Sequence, residues 1–194
     1  MPTFEDYRSW DDEQSWELLE GRPYLMSSPS SLHQMLSMSL ILALGPHVQG
    51  QGCRLLHAPM DLKLSEMDVV QPDLMVVCDP SQIRAGHIEG PPRLVVEILS
   101  ATTQRHDRVR KLNLYARTGV AEYWLGTPYP FMVEVLHNRQ GVFSAVGAYT
   151  EGDTLHSSEF PNLRLELASL YASLPPQPPL DEVREGTPAY LSGR

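Results

Sequence analysis

Two short segments constrain this chain more than any others. Residues 73–78 read Asp-Leu-Met-Val-Val-Cys and residues 94–99 read Leu-Val-Val-Glu-Ile-Leu. Nearly unbroken apolar runs of this length are the pattern of strands covered on both faces. Such strands need helices to cover them, and the sequence offers two. Ser30 or Ser31 caps the first, Leu32, Met35, Leu36, Leu40, Ala43 and Leu44 recur at helical spacing, and Gly50-Gln51-Gly52 ends it. The second spans 103–118, with Val109, Leu112 and Ala116 as its apolar stripe and Gly119 in the left-handed cap position.

The remaining segments fit around that frame. Glu20-Gly21 is a turn signal between the runs 16–19 and 23–26, which predicts a hairpin. Further strands are expected at 53–56, 60–64 and 122–125, strand-like runs with turns over 131–167, and a short closing helix over 165–174. The expected fold class is α/β (α+β), a mixed central sheet flanked by helices. The chain has 194 residues, enough for one domain, assigned to 1–174. Residues 175–194 hold five of the 17 prolines and read as an extended tail.

Several function classes recede. The stretch Met35 to Leu44 is interrupted by Ser37 and Ser39, and no run reaches the ~18 apolar residues of a membrane span. The acidic N-terminus has no apolar core, so a cytoplasmic location is expected, without a membrane partner. Cys53 and Cys78 form no CxxC pair and are expected as buried free thiols rather than a disulfide or zinc site. The seven histidines lack metal-ligand spacing and read as surface or satisfied groups. A net charge of −9 argues against a sequence-independent nucleic-acid coat, but leaves room for a local basic strip.

The chemistry concentrates where charge intrudes on the apolar runs. Asp73 opens one and Glu97 interrupts the other. A carboxylate there is costly to bury as an anion without a compensating cation or donors. On neighbouring strands, ~4.8 Å apart, two such groups repel, and a divalent cation relieves the repulsion. Mg²⁺ suits one or two carboxylates plus water and phosphate oxygens, and the Ile98 carbonyl offers a further ligand. Arg105, Arg108, Arg110 and Lys111 cluster on the second helix as a phosphate-facing strip. Lys111 is the third group that hydrolysis requires. Asp107 and Lys111 are also spaced i, i+4, so a plain surface ion pair is an equal alternative.

The order of these segments resembles the Uma family of restriction-endonuclease-like proteins, in the PD-(D/E)XK nuclease superfamily. The matching stretches are Trp16-Glu17-Leu18-Leu19-Glu20-Gly21, Ser28-Pro29-Ser30 with His33-Gln34, Val70-Gln71-Pro72-Asp73-Leu74, residues 94–100, Asp107 with Lys111, Leu114-Tyr115-Ala116, Gly119-Val120 and Glu122-Tyr123-Trp124-Leu125. The resemblance covers Phe4 to Tyr171 and implies a restriction-endonuclease-like fold. It implies that Asp73 and Glu97 are metal ligands, with Glu17 an additional one. Leu99 stands where the superfamily has its lysine, which implies that Lys111 on the following helix takes that role. His33 and Gln34 correspond to a substrate-side pair. Thr127 departs from the aspartate that the family carries there, which puts catalysis in this copy in question.

The expected function is a Mg²⁺-dependent endonuclease hydrolysing DNA phosphodiesters, with Mn²⁺ as substitute metal. Asp73, Glu97 and Lys111 are its catalytic residues, and His33, Gln34, Arg105 and Arg108 contact substrate. Cutting two strands calls for two sites, hence a homodimer. The alternatives are a silent nuclease-fold binding module, or a nuclease acting on RNA or another nucleotide.

Overall fold

The computed structural model describes residues 1–11, 13–100 and 106–176. Most of the proline-rich tail, 177–194, lies outside the described residues, as does Arg105. The chain starts with α1 (Phe4–Arg8), followed by β1 (Trp16–Leu19) and β2 (Arg22–Leu25). These two strands form the expected antiparallel hairpin, with Glu20 at φ 51° and Gly21 at φ 69°. Two left-handed turn residues match the twist of the strands they join, and glycine meets that demand without strain. α2 (Ser31–Gln49) is capped by Ser30, whose hydroxyl accepts from the His33 N–H.

Six strands follow: β3 (Arg54–His57), β4 (Leu62–Ser65), β5 (Asp68–Val70), β6 (Leu74–Val77), β7 (Ile88–Glu89) and β8 (Leu94–Ile98). A π-helical turn, His106–Lys111, runs directly into α3 (Leu112–Thr118), which ends at Gly119 with φ 94°. β9 (Glu122–Thr127), β10 (Met132–Arg139), β11 (Val142–Tyr149), β12 (Thr154–His156), β13 (Arg164–Glu166) and α4 (Leu167–Ala172) complete the chain.

The strands form a mixed six-stranded sheet ordered β11-β10-β9-β8-β6-β3, a five-stranded sheet ordered β2-β1-β5-β4-β7, and the ribbon β12-β13. In the large sheet β8 and β9 are parallel and the other pairs antiparallel. This is the mixed α+β class expected. The two apolar runs are the neighbours β6 and β8, buried along their whole length. Leu74, Val76, Leu94, Val96 and Ile98 pack with Leu36, Leu40, Leu44 and Val48 of α2. The alternate residues Met75, Val77, Val95 and Leu99 pack with Leu114 and Tyr115 of α3. Covering on both faces explains why neither run alternates in polarity. No helix of the described residues is long and apolar enough to cross a membrane.

Three details differ from the sequence reading. Cys53 and Cys78 are joined in a disulfide rather than free, with Cα atoms 4.1 Å apart. β3 and β6 pair with Arg54 opposite Val77, so the next positions outward meet across the pair. On α2, Met35 is 44% exposed, and the core-facing line is Leu36, Leu40, Leu44 and Val48. Val109, expected in an apolar stripe, is 51% exposed. The wide π turn directs Asp107 and Lys111 inward instead, in line with Tyr115 one turn further on.

Candidate active site

Asp73 immediately precedes β6 and Glu97 lies on β8. These strands pair with Leu74 opposite Val96 and Met75 opposite Val95. One further step of that register sets Asp73 opposite Glu97, and opposed residues of an antiparallel pair share a face. The main-chain positions of Asp73 and Glu97 are thus opposed, and Asp73 is among the charges that act on Glu97.

Each is held differently. Asp73 Oδ2 accepts from the Ile98 N–H at 2.6 Å, and Oδ1 meets His33 Nε2 at 3.0 Å. His33 thus reaches the site from the first turn of α2, whereas Gln34 beside it is exposed. Ile98 contributes its amide here; the carbonyl that the sequence reading offers as a ligand belongs to the same residue. Glu97 is buried, and its Oε1 accepts from Lys111 Nζ at 3.0 Å and from the Tyr115 hydroxyl at 2.7 Å. Its Oε2 accepts no hydrogen bond from the described residues. Among those residues no fully buried side-chain oxygen or nitrogen lacks a partner.

Lys111 is the centre of the cluster. Its ammonium lies 2.8 Å from Glu17 Oε1, 3.0 Å from Glu97 Oε1 and 3.7 Å from Asp107 Oδ1. The i, i+4 pairing of Asp107 with Lys111 is real, but both residues are only 4% exposed, so it is no surface pair. Glu17 reaches Lys111 from β1 of the other sheet. Its Oε1 also accepts from the Gln71 N–H at 2.8 Å, and Oε2 meets His106 Nε2 at 3.1 Å. Glu17 is therefore an anchor for Lys111 in this geometry, with both oxygens engaged. His106, which the sequence reading passed over, rests against the Tyr24 ring at 5.0 Å.

Among the described residues, the cations of the basic strip turn to separate partners. Lys111 turns inward, Arg108 pairs with Glu134, and Arg110 lies over the Tyr24 ring at 4.8 Å. The wide turn sends successive cations to different partners.

The charge balance has chemical consequences. Burial pushes the Glu97 carboxyl well above the usual carboxylate range, and Asp73, Asp107 and Glu17 push it further, against the opposing pull of Lys111. Burial disfavours the Lys111 ammonium, but Glu17, Glu97 and Asp107 outweigh it and hold its proton to well above the ordinary lysine range. Burial would likewise raise Glu17, yet Lys111 and His106 bring it down to about 2. Lys111 is thus a fixed cation at neutral pH, and Glu97 is a carboxylate short of positive charge.

Among the described residues no three His, Cys, Asp or Glu side chains converge on one metal position. Two do suffice for Mg²⁺, which commonly keeps waters and substrate oxygens in its remaining positions. The donor set fits such an ion: an excess of carboxylates around one lysine, and a Glu97 oxygen that accepts no hydrogen bond from the described residues.

Comparison with known proteins agrees with this fold. Residues 4–168 match the Uma2 family, described as putative restriction endonuclease. An uncharacterized protein of Synechocystis sp. is 27% identical over 170 residues, 86% of this chain and 84% of its own. The crystal structure of a putative nuclease belonging to DUF820, from Anabaena variabilis, superposes with a TM-score of 0.72 at 17% identity, over 89% of this chain and 99% of that one. That likeness shows a shared fold. With the family match running through nearly all of the described chain, this protein belongs to the Uma2 family of putative restriction endonucleases.

Proposed function

We propose that the protein is a divalent-metal-dependent endonuclease that hydrolyses phosphodiester bonds in DNA. The observation that carries this reading is the opposition of Asp73 and Glu97 across β6 and β8, with Lys111 hydrogen-bonded to Glu97. Asp73 and Glu97 would hold the Mg²⁺ or Mn²⁺ ion. When bound, that ion supplies Lewis acidity to a phosphate oxygen and a more acidic water.

The protein's own groups supply the rest. The Ile98 amide and His33 fix Asp73 from two sides. Lys111 holds Glu97 and places a permanent positive charge beside the reacting phosphate, where negative charge builds as the water attacks. Its raised proton affinity makes it a donor of charge and hydrogen bonds rather than a base. Glu17 and Asp107 restrain it from the far side.

The test is nicking of supercoiled plasmid by pure protein with and without Mg²⁺. Metal-dependent nicking that disappears in Asp73→Ala supports the reading; nicking that survives this substitution defeats it. Because two strands require two sites, we also propose a twofold dimer. Sedimentation as a monomer at micromolar concentration speaks against that part. A second reading, a binding module without turnover, draws on Thr127, which stands where the family resemblance implies an aspartate. Mn²⁺ uptake without any nicking of DNA or RNA favours it.

A further inference from the structure

We propose that Tyr115 is a positioning residue for the metal ligand Glu97. This rests on the metal-dependent reading above. Tyr115 is fully buried on α3, and its hydroxyl donates to Glu97 Oε1 at 2.7 Å. Lys111 donates to the same oxygen at 3.0 Å from one helical turn earlier. Two donors therefore converge on one oxygen, and among the described residues none donates to Oε2.

That division of labour has a structural origin. Leu99, two residues beyond Glu97 on the sequence, points into the apolar layer with Leu114 and Tyr115, so the strand itself offers Glu97 no donor there. The helix takes over with a pair at i and i+4. The ammonium supplies charge, and the phenol supplies direction. The Tyr115 ring is fixed edge-on against Tyr123 at 5.1 Å, so the hydroxyl has little freedom to follow Glu97 elsewhere. Outer groups that orient a metal ligand typically contribute about 10–100-fold in metal affinity.

Tyr123 provides an internal control. It is as deeply buried, in the same core, but its hydroxyl donates to the Asp107 main-chain carbonyl at 3.2 Å. The experiment is calorimetric titration of the full chain with Mn²⁺ at one fixed pH, alongside a thermal melt of each variant. Tyr115→Phe is expected to weaken Mn²⁺ binding about tenfold or more, and Tyr123→Phe by less than about twofold. Equal affinities for Tyr115→Phe and the unaltered protein overturn the inference while the metal-dependent reading stands. Absence of Mn²⁺ uptake by the unaltered protein overturns the reading itself, and this inference with it. Should Tyr115→Phe not fold, the hydroxyl proton of Tyr115 in the unaltered protein is followed by NMR. A shift on adding Mg²⁺ larger than that of Tyr123 supports the assignment; no shift overturns it.

Discussion

Glu97 and Glu122 are both buried glutamates on neighbouring parallel strands, yet their surroundings are opposite in kind. Glu122 is 0% exposed and saturated by neutral donors. Trp124 Nε1 and the Ser157 hydroxyl donate to Oε1 at 2.6 and 2.8 Å, and the Ser158 and Glu159 amides donate to Oε2 at 2.7 and 3.0 Å. It fastens the 157–159 loop to the start of β9. Glu97, three register steps along the same pair, has one oxygen engaged by the described residues and other carboxylates as neighbours. A carboxylate that serves the fold is surrounded by donors on both oxygens. One that is left half-bonded and crowded by like charge raises the energy of the resting protein, and a cation lowers it again. On the proposed reading, this contrast separates a structural acid from a ligand more sharply than burial does.

The contrast can be broken most severely through activity. Glu97→Gln is expected to reduce plasmid nicking on the order of 10³-fold. Glu122→Gln, assayed per folded molecule, should change it by less than about twofold, as a remote site would. Comparable losses in both variants would erase the distinction.

Stability should show the reverse ranking. Glu122→Gln turns an amide NH₂ toward groups that are all donors, and should cost about 2–3 kcal/mol in urea denaturation. Glu97→Gln should cost under about 1 kcal/mol at neutral pH, because the fold already disfavours the charged form. The sign follows from linkage. A carboxyl whose folded proton affinity is raised stabilises the fold at low pH and gives that stabilisation up as pH rises. A larger cost for Glu97→Gln than for Glu122→Gln would contradict the assignment.

The smallest of the expected effects sharpens the comparison further. Since Glu97 retains its proton to higher pH than an ordinary glutamate, a metal ion must displace that proton to bind. Mn²⁺ affinity should tighten as pH rises, by up to about tenfold per unit, and level off once the carboxyl is ionised. Calorimetry across the acidic-to-neutral range reads this directly, and a flat profile would show that Glu97 is no ligand.

How much of this was legible in the sequence follows from what each feature requires. β6 and β8 were readable because double burial leaves no alternation, and Asp73 and Glu97 because a carboxylate in such a run is anomalous. The hairpin and the caps at Ser30 and Gly119 are local, and local chemistry sufficed. The Cys53–Cys78 bond depends on strand register across 25 residues, which composition and compartment arguments do not contain. The spacing of Asp107 and Lys111 is the same on a surface helix and a buried one, and a π turn decided between them. Glu17 and His106, 89 positions apart, meet only once β1 is placed against that turn. Glu122 was invisible as an anchor because its donors are neutral and three of the four lie more than thirty residues downstream, in the 157–159 loop.

The central claim is that Asp73 and Glu97 share a divalent ion. A crystal structure with Mn²⁺, read by its anomalous scattering, tests it most directly. The account predicts one peak between Asp73 and Glu97 Oε2, with Lys111 and Tyr115 still on Oε1. A peak elsewhere, or none at saturating Mn²⁺, would contradict it.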